Sequence, residues 1–96
     1  MENKDIINYK HIYAIIRDEQ VITIHTCRRN KRTYKNKFWH IGCIGFNEKT
    51  SHWCFLPEKN WTFGSDTLRI IWSLLEQLDN GYVSVDYDKK EWVLDN

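Results

Sequence analysis

The alternation of apolar and polar positions divides the chain into one helical stretch and several strand-like runs. In SDTLRIIWSLLEQLDNG, from Ser65 to Gly81, the residues Leu68, Ile71, Trp72, Leu75 and Leu78 recur at the spacing that lines one helix face, and Ile70 and Leu74 widen the stripe. This predicts an α-helix over 66–79, with Trp72 as its largest core side chain. Ser65 is the expected N-cap, because its hydroxyl can accept from a free backbone N–H of the first turn. Asp66 sits where the helix dipole favours negative charge. Asn80-Gly81 offers the left-handed residue that closes a helix. A helix so apolar on one side needs a sheet to cover.

The other runs supply that sheet. HIYAIIR (11–17) and VITIHTC (21–27) are rich in β-branched residues and flank a polar DEQ, which predicts a first hairpin. In the second run Ile22, Ile24 and Thr26 face one way, and Val21, Thr23, His25 and Cys27 the other. Residues 1–10 are polar and read as a lead-in, although Ile6, Tyr9, Tyr13 and Ile16 also fit helical spacing. Phe38–Phe46 and Ser51–Leu56 flank the turn NEKT and predict a second hairpin, with Cys43 opposite Cys54, Ile44 opposite Trp53 and Gly45 opposite His52. One face then carries Ile41, Cys43, His52, Cys54 and Leu56. The other carries His40, Ile44, Phe46, Trp53 and Phe55, and is the face expected under the helix.

Gly42 and Gly45 suggest a bulge or the close approach of a neighbour. Pro57 ends its strand for want of an N–H, and Trp61 or Phe63 is placed to staple the helix start. After Gly81, YVSVDY and EWVL predict one or two further strands. The expected fold is therefore α+β: a four- to six-stranded antiparallel sheet packed on one helix, in the order ββββα followed by one or two strands, as a single domain over 1–96.

Composition adds to this picture at three points. The content of 42% hydrophobic and 15% aromatic residues supports a packed core, and five Trp and five Tyr exceed what a two-layer core needs, so some aromatics are expected at the surface. The net charge of +1 conceals an asymmetry: residues 1–48 hold nine Lys/Arg and five Asp/Glu, whereas residues 49–96 hold five and eight. Three cysteines, an odd number with no signal peptide before them, point to free thiols in a reducing cytoplasm. The apolar runs are too short to span a bilayer.

The stretch CFLPEKNWTFGSDTLRIIWSLLEQLDN, preceded by WHIGCIGF, resembles a group of small phage and prophage proteins, over about Trp39 to Asn80. In these a strand ending in Phe and Pro leads through a Phe-Ser helix entry into a Leu/Ile helix; here Gly64 intervenes between Phe63 and Ser65. The resemblance implies a gene of a mobile element and carries no catalytic residues.

Candidate chemistry is sparse. Cys43, His52 and Cys54 share the expected outer face with His40 nearby, but tetrahedral zinc needs four converging ligands, which a flat strand pair with His40 on its other side does not supply. The three cysteines all fall in predicted strands, where a nucleophile is not expected to find the cleft and activating base it needs, and the four glycines include no phosphate-binding loop. These readings predict no metal, no cofactor and no enzyme.

Two binding classes remain. The first is a protein-interaction module that occupies and inhibits a host or defence protein in the host cytoplasm, using Trp92, Asp86, Asp88, Glu91 and Trp61. Its acids, with Asp79 and Asp95, could copy the charge of nucleic acid. The second is a nucleic-acid binder using RRNKRTYKNK, where Arg28, Arg29, Lys31, Arg32, Lys35 and Lys37 supply charge and Tyr34 and Trp39 supply stacking faces. A charge run is most simply a solvated loop. The small net charge favours the protein partner.

Overall fold

The computed structural model describes residues 6–9, 11–17, 21–29, 32–33 and 36–94. Five antiparallel strands form the main sheet in sequential order: β1 (Ile6–Tyr9), β2 (Ile12–Ile16), β3 (Ile22–Arg29), β4 (Asn36–Asn47) and β5 (His52–Pro57). Helix α1 (Ser65–Asp79) follows, and β6 (Val83–Asp86) with β7 (Glu91–Leu94) forms a separate two-stranded sheet. The fold is α+β, as the apolar pattern implies. Ile6–Tyr9 adds a strand inside the expected lead-in, and the last hairpin does not join the main sheet.

Alternation on β2 and β3 sends Ile12, Ala14 and Ile16, and Ile22, Ile24 and Thr26, to the buried face. Ile41 and Ile44 of β4 join them, with Ile71, Leu74 and Leu78 of α1 and Val83 of β6, in one hydrophobic cluster. Trp53, Phe55, Trp61 and Phe63 pack around its rim, so both residues proposed as staples are used. Phe63 meets Phe55 edge-on, with ring centroids 5.5 Å apart.

Three local features depart from the sequence reading. First, the hairpin β4–β5 is slid by two residues, pairing Cys43 with Leu56, Ile44 with Phe55 and Gly45 with Cys54. The strand runs on through Asn47, whose Oδ1 accepts the Lys49 N–H at 2.9 Å, while Ser51 adopts φ 58° and donates to the Asn47 carbonyl. The loop is therefore 48–51. Because the slide is even, it leaves the faces of β5 unchanged.

Second, a bulge pairs Ile24 with Gly42 but His25 with His40, leaving Ile41 as the extra residue. Alternation inverts across it. Ile41 thus enters the core beside Ile44, and His40 passes to the open face beside His25, the reverse of the expected placement. Gly42 is needed next to the bulge: a Cβ there would lie 2.5 Å from Phe55 Cε1 and 2.6 Å from the Leu56 carbonyl oxygen. Gly45 has no such neighbour.

Third, the helix is rotated and begins one residue earlier than the sequence suggests. Gly64, at φ −81° and ψ 164°, is the N-cap, and its carbonyl accepts the Leu68 N–H at 3.1 Å. Ser65 is already helical, so its hydroxyl comes one position too late to cap. Ile71, Leu74 and Leu78 face the core, whereas Trp72 is 61% exposed. The C-terminus matches expectation: Gly81 at φ 75° follows Asn80, the Gly81 N–H donates to Leu78 O and the Tyr82 N–H to Gln77 O, a Schellman closure.

Candidate functional site

The acidic hairpin is largely occupied with its own packing. Trp92 stands opposite Val85, is half-buried against the core, and buries an Nε1–H with no acceptor among the described residues. Asp86 pairs with Glu91 across the hairpin, and its Oδ1 accepts the Lys89 N–H at 3.1 Å, fixing a turn closed by Lys90 at φ 52°. Asp88 is exposed at that turn and Glu91 is half-buried. Trp61 belongs to another group, half-buried with its ring centroid 6.2 Å from that of Trp39.

The basic segment is not simply a loop. Pairing of β2 with β3 ends at Ile12–Thr26, and pairing of β5 with β4 ends at Gly42–Pro57. The rungs Arg28–Lys37 and Arg29–Asn36 therefore run past both neighbours as a two-stranded ribbon. Arg32 lies in the turn beyond, and Lys31, Tyr34 and Lys35 fall outside the described residues. Lys37 Nζ sits 4.2 Å from the centre of the Trp39 ring, a cation–π contact.

The open face of the sheet gathers polar aromatics. Tyr13 meets Phe38 edge-on at 5.2 Å, and His25 lies 5.3 Å from His40. Thr23 Oγ1 accepts from Arg17 Nε at 3.0 Å and lies 2.9 Å from His25 Nε2. Burial, then His40, then Arg17 hold the His25 imidazole below its ordinary pKa. His40 pairs with Glu58 at 3.4 Å, at a site too exposed to contribute much. Cys27, Cys43 and Cys54 are free and half-buried. Among the described residues no three His, Cys, Asp or Glu side chains cluster as metal ligands.

The helix rotation creates a surface that the sequence reading missed. Leu68 and Trp72, one turn apart on α1, are 46% and 61% exposed. Trp72 borders a groove with His52, Trp53, Leu75, Glu76 and Asp79. Phe46, 52% exposed, continues the apolar surface through an edge-on contact with Trp53 at 5.9 Å. Asp79 ties the groove floor together: its Oδ1 accepts the Trp53 N–H at 2.8 Å and its Oδ2 lies 3.3 Å from His52 Nδ1. The available signal was the width of the stripe. Apolar residues at 68, 70, 71, 72, 74, 75 and 78 are more than one buried face can take, so part of the set had to face outward.

No described helix is long and apolar enough to cross a membrane. In comparisons with known proteins the chain matches no family model, no curated sequence and no solved structure, so the reading of its surfaces rests on its own geometry.

Proposed function

We propose that this protein is a non-enzymatic binding module whose working surface is the Leu68–Trp72 ridge with the Trp53–Phe46 flank. The observation that carries this reading is the exposure of Trp72 on an otherwise well-packed helix. Exposed tryptophans on rigid elements are the usual anchors of protein interfaces, because they remove much apolar surface from water at small entropic cost. Glu76 and Asp79 rim the groove and residues 49–96 are net acidic, so the complementary partner has an apolar pocket edged with Lys or Arg. The resemblance of residues 39–80 to phage and prophage proteins makes that partner a host or defence protein, met in the host cytoplasm and inhibited by occupation.

The test is capture on immobilised protein from nuclease-treated host lysate. The proposal expects a stoichiometric protein partner that survives nuclease and is lost with Leu68→Ala/Trp72→Ala, but kept with Arg28→Ala/Lys37→Ala. The reverse pattern would favour a second reading, nucleic-acid binding by the β3–β4 ribbon. That reading is supported by the extension of the basic rungs beyond the sheet and by the Lys37–Trp39 contact.

A further inference from the structure

The groove beside Trp72, about 460 Å³ in volume, has an electrostatic character that an apolar ridge alone would not need. Two indoles, Trp53 of β5 and Trp72 of α1, border it, and Glu76 and Asp79 bring two carboxylates to the same space. It lies at the C-terminal end of α1, where the helix dipole is negative, and the last turn holds no basic residue to offset that end. Among the described residues no Lys or Arg lines the groove. Asp79 is already committed, because its Oδ1 accepts the Trp53 N–H and its Oδ2 lies 3.3 Å from His52 Nδ1. Glu76 is exposed, and its carboxylate has no hydrogen-bond or ion-pair partner among the described residues.

From this geometry we infer that the groove is a seat for an arginine side chain presented by the partner, its guanidinium lying against the indoles and its N–H groups donating to Glu76. The inference rests on the ridge being the working surface, and it names the group that this surface takes. Indole is the strongest of the aromatic faces toward a cation. A guanidinium is planar and weakly hydrated, so it stacks on a ring while donating two parallel N–H bonds to one carboxylate; a Lys ammonium is a hydrated point charge without that shape. An anion would meet two carboxylates and the negative helix end. A purely apolar group would strip water from Glu76 without giving it a donor. The volume falls within the roughly 300–1,000 Å³ of small-ligand sites, which leaves room for the aliphatic stem as well.

The experiment titrates three acetylated and amidated tripeptides, with arginine, citrulline or lysine between two glycines, into the full chain at matched ionic strength, following indole and amide N–H shifts by NMR. Citrulline keeps the shape of arginine without its charge. The arginine peptide should move the indole signals of Trp53 and Trp72 and bind about tenfold more tightly than the citrulline peptide, between the scales of an exposed and a desolvated cation–π contact. The lysine peptide should bind more weakly than the arginine one. Glu76→Gln should reduce the arginine preference to about threefold, the loss of one exposed ion pair, without changing the melting temperature. Trp72→Leu, which keeps an apolar side chain, should abolish the preference, and Lys37→Ala should leave it intact. Equal binding of the arginine and citrulline peptides, unmoved indoles at millimolar peptide, or a lysine peptide as tight as the arginine one would overturn the inference. The seat and the ridge fail separately. Capture of a lysate protein that needs Trp72 but not Glu76, with no arginine preference, keeps the ridge and overturns the seat; an arginine preference that Glu76→Gln weakens, with no partner captured, supports the seat and removes the ridge's protein partner.

Discussion

Ile71 and Trp72 are adjacent in sequence but make opposite predictions. Ile71 is 3% exposed and packs among Ile and Leu side chains from sheet and helix, so Ile71→Ala removes a buried side chain and leaves a cavity. Substitutions of this kind cost about 2–5 kcal/mol, a large part of the roughly 5–15 kcal/mol by which a small domain is stable. Trp72 has about two fifths of its surface covered. Truncation to Ala forfeits that partial burial but recovers about 0.5 kcal/mol of helix propensity, for a net loss of about 1 kcal/mol at the usual apolar coefficient. Urea unfolding followed by far-UV circular dichroism should thus give midpoints in the order wild type, Trp72→Ala, Ile71→Ala, with similar slopes. A Trp72→Ala protein less stable than Ile71→Ala would mean that the helix is rotated toward the face its sequence stripe suggested, and the proposed ridge would lie in the core.

Three further outcomes are expected. Asp79→Ala, which leaves the Trp53 N–H without its carboxylate, should cost about 1 kcal/mol, while Asp79→Asn, which keeps an acceptor, should cost less; equal losses in thermal melts would count against the Asp79–Trp53 bond. Trp92→Phe removes an N–H buried without an acceptor and should be nearly neutral, whereas Trp92→Ala should cost about 3–5 kcal/mol; a folded, fully stable Trp92→Ala protein would free that residue for binding. His25 is held below its ordinary pKa of 6.5 by burial, His40 and Arg17, so the unfolded chain binds the proton more readily. Its stabilising contribution is complete above 6.5 and is lost as pH falls toward the folded value; His25→Gln should flatten the dependence of unfolding free energy on pH as the pH is lowered through 6.5, and an unchanged slope would refute it.

Much of the fold was legible because period and punctuation agreed. The helix between Gly64 and Gly81, the strands at 12–16 and 22–27, and the stop at Pro57 each combine a hydrophobic period with a residue whose backbone preference ends it. What was not legible depends on one-residue offsets that several patterns satisfy equally. The bulge at Ile41 inverts alternation with no signal beyond Gly42, and it misplaced both Ile41 and His40. The turn after Asn47 could close on either of two loops, and the Asn side chain selected one. Residues 6–9 form a strand through pairing with β2 rather than through their own alternation. For the candidate site, the surplus of aromatics was correctly read as surface-seeking, but the choice of Trp92 and Trp61 followed neighbouring charge instead of helix geometry. Those two are half-buried, whereas Trp72, assigned to the core, is 61% exposed.

Site-specific photo-crosslinking tests the central claim most directly. With a benzophenone amino acid at position 72 or at position 37, the protein is irradiated in host lysate and each adduct is divided between protease and nuclease treatment. The account predicts a discrete, protease-sensitive adduct from position 72 that is competed by unlabelled wild type but not by the Leu68→Ala/Trp72→Ala variant. A nuclease-sensitive adduct from position 37, with none from position 72, would contradict it.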